Sequence, residues 1–172
     1  MIAEAETVEP GAEHLLFAPY LTGERCPYAD PTARGAFVGL SARHTRAHLI
    51  RAVLEGITFG MAEQVAIFRQ IQIPIQQIRL SGGGARSPFW RQLQADIYRA
   101  TVATVSATEG AALGAAILAA VGTAQYPSVA AACKALIHVE EVRRPQRKAA
   151  IFYAERFTHY TQLYPALKPL AG

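Results

Sequence analysis

Three consecutive glycines, Gly82-Gly83-Gly84, join the aliphatic run Ile78–Ser81 to the pair Ser87-Pro88, and this junction constrains the fold more than any other stretch. An aliphatic run that stops at glycine reads as a strand meeting a turn. Ser87 suits a helix N-cap, and Pro88 suits the first helical position, where a missing N–H costs nothing. The unit is therefore strand, glycine turn, helix. Glycine has no Cβ, so a flat or charged ligand can reach the backbone closely. The free N–H groups and dipole at a helix start favour anions. In open α/β sheets, ligands sit beyond the carboxyl ends of the strands, which is where such a loop lies. Two familiar nucleotide motifs are excluded. No Gly-Lys-Ser/Thr follows the glycines. Ser87 replaces the third glycine of a dinucleotide fingerprint, and the next strand runs into Val105-Ser106-Ala107 without an acidic residue. Taken alone, the junction is either a ligand-binding edge or a tight strand–helix turn.

The surrounding elements build an α/β chain. Leu15–Ala18 reads as a short strand, followed by a loop from Pro19 to Pro31 that its three prolines and Gly23 keep irregular. That loop either lines a site or interface, or is a rigid surface connection. Thr45 is a candidate N-cap for a long helix ending near Gln72, before Pro74. Ile50, Val53, Leu54, Ile57, Met61, Val65, Phe68 and Ile71 recur every three or four residues and predict one apolar stripe facing the core. Gly56 and Gly60, four apart, predict close approach by a neighbouring element. Phe89, Trp90, Leu93 and Ile97 mark the buried side of the helix after Ser87. Thr101–Val105 reads as a strand. Glu109-Gly110 leads into an Ala-rich helix, Ala111–Val121, whose small face (Ala112, Ala115, Ala116, Ala119) predicts tight packing, with Glu109 as its cap. Ser128 starts a helix to about Ile137, and the aromatic tail from Ile151 to about Tyr164 reads as helical. The order strand, helix, strand, helix, strand, helix predicts a single α/β domain over residues 1–172.

Bulk properties narrow the function classes. No apolar run is long enough to span a bilayer, so no membrane partner is expected. Residues 1–11 carry Glu4, Glu6 and Glu9 without a basic residue, the reverse of a secretory or transit signal, which makes the expected location cytoplasmic. Cys26 and Cys133 form no CxxC unit and no disulfide framework. The net charge is +4, but the basic residues are scattered; the only dense run is Arg143, Arg144, Arg147 and Lys148, split by Pro145. Without a zinc finger or an RNP-like aromatic motif, no nucleic-acid partner is expected, and an anionic small ligand fits the charge equally well.

Four motifs in order carry a family resemblance. They are Leu16-Phe17-Ala18-Pro19-Tyr20-Leu21-Thr22-Gly23-Glu24-Arg25-Cys26-Pro27; Arg51-Ala52-Val53-Leu54-Glu55-Gly56; Leu80-Ser81 through Gly82-Gly83-Gly84-Ala85-Arg86-Ser87-Pro88-Phe89-Trp90 to Asp96; and Glu109-Gly110-Ala111-Ala112-Leu113-Gly114-Ala115-Ala116. Together, from about Pro10 to Leu163, the chain resembles the C-terminal domain of the FGGY carbohydrate kinases. The first motif points towards the xylulokinase branch, although gluconate and other pentulose kinases share the set. The resemblance implies an RNase H-like, actin-like ATPase fold, of which this chain is the C-terminal lobe, incomplete at its N-terminal side. It implies ATP with Mg2+ as cofactor, ATP or ADP as ligand, and a partner in the N-terminal kinase lobe. By position it implies that Gly82, Gly83, Gly84 and Ala85 contact the adenosine and its first phosphate through backbone. Ser87 stands where some relatives place an Asn against the adenine; its capping role alone accounts for it.

The same resemblance shows what the chain lacks. The family's phosphate-binding Asp-x-Gly-Thr motif is absent from the sequence, and the catalytic Asp belongs to the other lobe. Only two aspartates occur: Asp96, inside a helix motif, and Asp30, a turn residue by its context. His44 and His48 lack a third ligand for zinc, and the acidic stretch Glu4–Glu9 resembles the family's internal continuation. The expectation is a kinase portion without catalytic residues or metal ligands of its own, inactive alone. The competing expectation is a freestanding nucleotide-binding or self-associating module, such as a homodimer built on open sheet edges.

Overall fold

The computed structural model describes residues 1–106 and 110–170. In chain order the elements are α1 (Ile2–Glu6), β1 (Leu16–Ala18), β2 (Ala36–Val38), α2 (Arg46–Gln70), β3 (Ile78–Leu80) and α3 (Pro88–Tyr98). They continue with β4 (Val102–Val105), α4 (Gly110–Gly122), α5 (Val129–Leu136), β5 (Val139–Arg143), α6 (Arg147–Tyr160) and α7 (Leu163–Leu167). Strands and helices alternate as the sequence predicts, and α3 makes the crossover that a parallel pair requires.

Three strands form a mixed sheet in the order β3-β4-β5. β3 and β4 are parallel, with Ile78 opposite Val102 and Leu80 opposite Thr104. β4 and β5 are antiparallel, with Val102 opposite Arg143 and a register shift between Thr104 and Val105. β4 is the buried centre: Val102 and Ala103 are excluded from solvent. β5 is an addition to the sequence reading, which left Val139–Arg143 unassigned. Its two valines, Val139 and Val142, are both exposed, so its strand state comes from pairing with β4 rather than from an apolar pattern. β1 and β2 form a separate antiparallel pair on α2.

α2 is the central support. Phe59 on it sits 6.1 Å from the Tyr153 ring, 6.0 Å from Phe157 and 5.2 Å from Tyr160, which docks α6. Gly56 makes the predicted close approach, since a Cβ there would lie 2.2 Å from the Phe17 carbonyl oxygen of β1. The predicted apolar stripe is buried only in part: Leu54 is in the core and Ile50, Val53 and Val65 pack against it. Ile57, Met61, Phe68 and Ile71 are exposed, whereas Arg51, Ala52, Glu55, Thr58, Phe59, Ala62 and Glu63 are buried beside Leu54. The reason is chemical: Arg51 and Glu55 satisfy each other, so a polar pair occupies core positions that periodicity assigns to apolar side chains.

Two further expectations change. On α4 only Ile117 is buried, and the small face of Ala112, Ala115, Ala116 and Ala119 is exposed rather than packed. The predicted cap Glu109 lies outside the described residues. The tail forms two helices, α6 and α7, the first beginning four residues before Ile151. Ser128 caps α5 as predicted, accepting from Ala131 N at 3.1 Å.

The loop from Pro19 to Pro31 contains no regular element and is tied down. Glu24 and Asp30 exchange backbone hydrogen bonds of 2.8 Å each. Asp30 accepts from Thr32 N and Oγ1, the turn role its context implies, and from Tyr164 Oη at 2.9 Å. These bonds hold the Asp30 carboxyl down at about 2. Tyr28 stacks on Tyr164 at 3.7 Å and donates to the buried Glu63 at 2.5 Å. Of the two earlier readings, these contacts favour the rigid connection.

Candidate nucleotide-binding site

The glycine loop starts where β3 ends. Gly82 takes φ +72° and ψ −158°, backbone reserved in practice for glycine, and turns the chain out of the strand. Gly83–Ala85 then make one 3-10 turn, closed by Ala85 N to Gly82 O and Arg86 N to Gly83 O, each 3.2 Å. Those bonds use carbonyls. The N–H groups of Gly82, Gly83 and Gly84 have no hydrogen-bond partner among the described residues. Cβ atoms built at Gly82 or Gly83 would meet nothing within 4 Å, so these two positions present bare backbone to open space, whereas Gly84 is half-buried against Trp90 and Gln94.

α3 fixes the loop from behind. Ser87 is its N-cap, accepting from Trp90 N at 3.3 Å, and Pro88 is the first helical residue, both as predicted. Trp90 Nε1 donates to Thr58 Oγ1 at 3.0 Å, and the Arg51 guanidinium lies 4.9 Å from the Phe89 ring centroid, so the start of α3 is pinned to α2. Because the Ser87 hydroxyl is committed to Trp90 N, Ser87→Ala is expected to cost about 1 kcal/mol through loss of the cap. Thermal or urea unfolding of the variant measures it.

Two side chains hold the loop carbonyls. Arg91 Nη1 donates to Ala85 O at 2.6 Å, and Gln94 Nε2 donates to Gly84 O at 3.2 Å. The other Arg91 terminal nitrogen reaches Glu141 Oε2 on β5 at 2.5 Å. Between the loop and β5 lies a cleft of about 380 Å³, lined among others by Ser81, Gly82, Ala85, Arg86, Thr104 and Glu140. It opens at the carboxyl ends of β3 and β4, the position expected for a ligand site in such a sheet. Gly82 and Ala85 thus line the cleft, the exposed Gly83 lies outside its lining, Gly84 packs against Trp90 and Gln94, and Ser87 turns back into α3. Sequence reasoning missed Arg91 and Glu141. One signal was available: a basic residue near the start of a helix stands against the dipole and needs a local reason.

The other candidate residues take structural roles. Asp96 accepts from Gln92 Nε2 at 3.0 Å and from Gln146 N at 2.7 Å, which ties α3 to the start of α6; burial pushes its carboxyl up. His48 Nδ1 lies 3.2 Å from Thr45 N and 2.9 Å from Thr45 Oγ1, at the start of α2. Among the described residues no group of three His, Cys, Asp or Glu side chains is placed to hold a metal ion. None of the described helices is long and apolar enough to cross a membrane.

An α/β unit with a bare glycine turn at the carboxyl edge of a parallel strand pair defines a class of small-ligand-binding folds. Within that class the sequence is decisive: residues 1–123 match the FGGY family of carbohydrate kinases, C-terminal domain. The chain belongs to this family. It is 40% identical over 168 residues to a xylulose kinase of Staphylococcus epidermidis, covering 98% of this chain and 34% of that one. A gluconokinase of Bacillus licheniformis is 42% identical over 125 residues, covering 72% of this chain and 24% of its own length. The crystal structure of ligand-bound xylulose kinase from Lactobacillus acidophilus superposes with a TM-score of 0.88 at 32% identity, over 99% of this chain and 35% of that chain. Plasmodium falciparum glycerol kinase with ADP shares the fold, at a TM-score of 0.77 and 23% identity. The chain therefore spans about a third of the length of the relatives it matches. Its fold is part of the actin-like ATPase fold of these kinases, as the resemblance implied.

Proposed function

We propose that residues 1–172 act as one unit, the nucleotide-binding portion of the C-terminal lobe of an ATP-dependent sugar kinase. The observation that carries this reading is the loop Gly82–Gly84 at the carboxyl edge of β3, exposed at Gly82 and Gly83, whose three N–H groups have no partner among the described residues. Gly82, Gly83, Gly84 and Ala85 offer backbone to the adenosine side of ATP or ADP. Ser87 contributes through its cap. Mg2+ accompanies ATP in such chemistry, but the described residues supply no ligand set for it. Phosphoryl transfer rests on positioning and on cationic stabilisation of the moving group. Neither the Asp-x-Gly-Thr cradle nor a candidate base is present, so this chain contributes binding and depends on the rest of the kinase for catalysis. D-xylulose is the favoured sugar because in sequence the xylulose kinase matches 98% of the chain and the gluconokinase 72%, although a gluconate kinase structure superposes over 96% of it. A cytoplasmic location follows from the same reading.

Titration with ADP tests the site. Gly83 has open space around it, so Gly83→Asp is compatible with the fold but places a carboxylate against an anion-facing backbone. Affinity is expected to fall at least about tenfold, the effect of 1.4 kcal/mol. Unchanged affinity removes the loop from the site. Turnover of ATP and D-xylulose by the 172-residue chain alone overturns the proposed dependence.

A second reading, self-association, has one observation in its favour. Met61 and Phe68 are 49% and 47% exposed on α2, beside a shallow apolar cleft of about 750 Å³ that reaches β3. The outer edge of β3 has no partner strand among the described residues. Such surfaces are covered in stable proteins. Solution mass separates the readings: a dimer favours self-association, and a monomer that binds a polypeptide carrying the remaining kinase length favours the lobe.

A further inference from the structure

We infer that Arg91 and Glu141 form a positioning clamp that sets the conformation of the glycine loop, with β5 as its fixed point. The inference builds on the nucleotide reading of the loop only for its second readout below. Arg91 leaves α3 and divides its guanidinium between two acceptors, Ala85 O at 2.6 Å and Glu141 Oε2 at 2.5 Å. The Arg91 side chain is 12% exposed and Glu141 is 35% exposed, so the guanidinium is largely sheltered while the carboxylate keeps contact with solvent. Glu141 is held in turn by Arg143 Nε at 2.5 Å on its other oxygen. The chain of contacts therefore runs from β5, through Glu141 and Arg91, to the last carbonyl of the glycine turn.

These contacts fix the carbonyl side of the turn. A turn of three glycines has no side chains of its own to select one conformation, and its backbone entropy favours many. Arg91 draws the Ala85 carbonyl inward and Gln94 draws the Gly84 carbonyl inward. With those carbonyls fixed on the α3 side, the N–H groups of Gly82, Gly83 and Gly84, unpartnered among the described residues, are held in one arrangement, with open space around Gly82 and Gly83. Preorganised donors bind an anion without a further ordering cost. Glu141 also lies beyond residues 1–123, so the clamp joins the part of the chain that defines the family to a strand outside the matched stretch.

Arg91→Lys tests the clamp directly. A lysine keeps the charge but is a single point donor and does not reproduce the planar fork between two separated acceptors. Glu141→Gln removes the anchor charge and leaves Arg91 its carbonyl partner. Backbone amide exchange of the apo chain is the first readout. In both variants the Ala85 and Arg86 amides, whose bonds close the turn, are expected to exchange at least about tenfold faster, while β4 and α2 keep their protection. ADP titration is the second, with affinity falling about tenfold, the effect of 1.4 kcal/mol. Exchange confined to wild-type rates at the loop in both variants overturns the clamp, whatever ADP does. Faster loop exchange with no ADP binding by the wild-type chain leaves the clamp standing and overturns the nucleotide reading instead. A uniform rise in exchange across all elements shows Arg91 to be a general stability residue and overturns the positioning role.

Discussion

Glu55→Ala is expected to destabilise the chain by about 3–5 kcal/mol, the cost of leaving a buried charge without its partner. Glu55 and Arg51 are 2% and 4% exposed. Glu55 Oε1 accepts from Arg51 Nε at 2.6 Å, from Tyr153 Oη at 2.8 Å and from Gly11 N at 2.9 Å. Arg51 uses its remaining nitrogens on Tyr153 Oη at 2.6 Å, Val8 O at 3.1 Å and Ala5 O at 3.4 Å. One carboxylate and one guanidinium thus connect the first turns of the chain, α2 and α6. Burial among these groups pushes the Tyr153 hydroxyl well above the usual tyrosine range, so it stays a protonated donor at any working pH. With Glu55 gone, Arg51 keeps its charge and loses its one carboxylate partner among the described residues. Marginal stability of about 5–15 kcal/mol makes such a loss a large share of the whole. The double variant Arg51→Met, Glu55→Leu separates the ion pair from its desolvation, because an apolar pair of similar volume is often tolerated where a half-pair is not. It is expected to be more stable than Glu55→Ala, though short of wild type, since Gly11 N and Tyr153 Oη lose an acceptor. Urea unfolding midpoints of the three proteins decide this. A Glu55→Ala midpoint indistinguishable from wild type would show the pair to be energetically idle. Because Arg51 also lies 4.9 Å from the Phe89 ring, the variant should loosen the start of α3 and with it the glycine loop.

The same network explains how much of the fold was readable from residues alone. Local chemistry carried the loop: the strand stop at Gly82, the cap at Ser87 and the proline at Pro88 are properties of neighbouring residues, and the structure places all three as read. Gly56 was legible for a similar reason, since a glycine inside a helix needs a neighbour to justify it. The buried face of α2 was legible only in part: Leu54, Ile50, Val53 and Val65 pack inward as read, but the polar members of that face were not visible. Periodicity ranks Met61 and Phe68 above Arg51 and Glu55, and only the tertiary meeting of Arg51, Glu55 and Tyr153 reverses that order. β5 was hidden for the same kind of reason. Glu140 and Glu141 interrupt its aliphatic character, and its partner β4 lies more than thirty residues earlier. The candidate site divides along this line. The backbone that faces the ligand was visible in Gly82–Ala85, whereas Arg91 and Glu141, which hold it, become related only once β5 pairs with β4.

Gly56→Ala is the second large effect, and intrinsic propensity argues against it. An alanine in a helix interior is favoured over glycine by about 1 kcal/mol. The packing is stronger. The added Cβ would lie 2.2 Å from Phe17 O, 3.0 Å from Phe17 C and 3.1 Å from Phe17 Cβ. The nearest atom is backbone in a paired strand, so no flexible side chain can swing away, and β1 would have to leave α2. Overpacking of a close contact costs about 1–3 kcal/mol and more where backbone must move. The net expectation is a loss of about 3 kcal/mol, with the sign set by the strand rather than the helix. Two other glycines calibrate the argument. At Gly60 a Cβ would meet Tyr160 Oη at 3.3 Å and Pro19 Cγ at 3.6 Å, a tight fit that should nearly cancel the propensity gain. At Gly114 a Cβ would meet nothing within 4 Å, so Gly114→Ala should stabilise by about 0.5–1 kcal/mol. The three variants should therefore rank Gly114→Ala, Gly60→Ala, Gly56→Ala in falling thermal midpoint. Equal midpoints would mean that α2 and β1 do not meet at Gly56. The consequence for function follows from connectivity: β1 feeds the loop from Pro19 to Pro31, whose Tyr28 reaches Glu63 on the same helix. Displacing β1 should therefore release Tyr28 from Glu63 as well, a change that tyrosine fluorescence or exchange at the Glu24 and Asp30 amides would register.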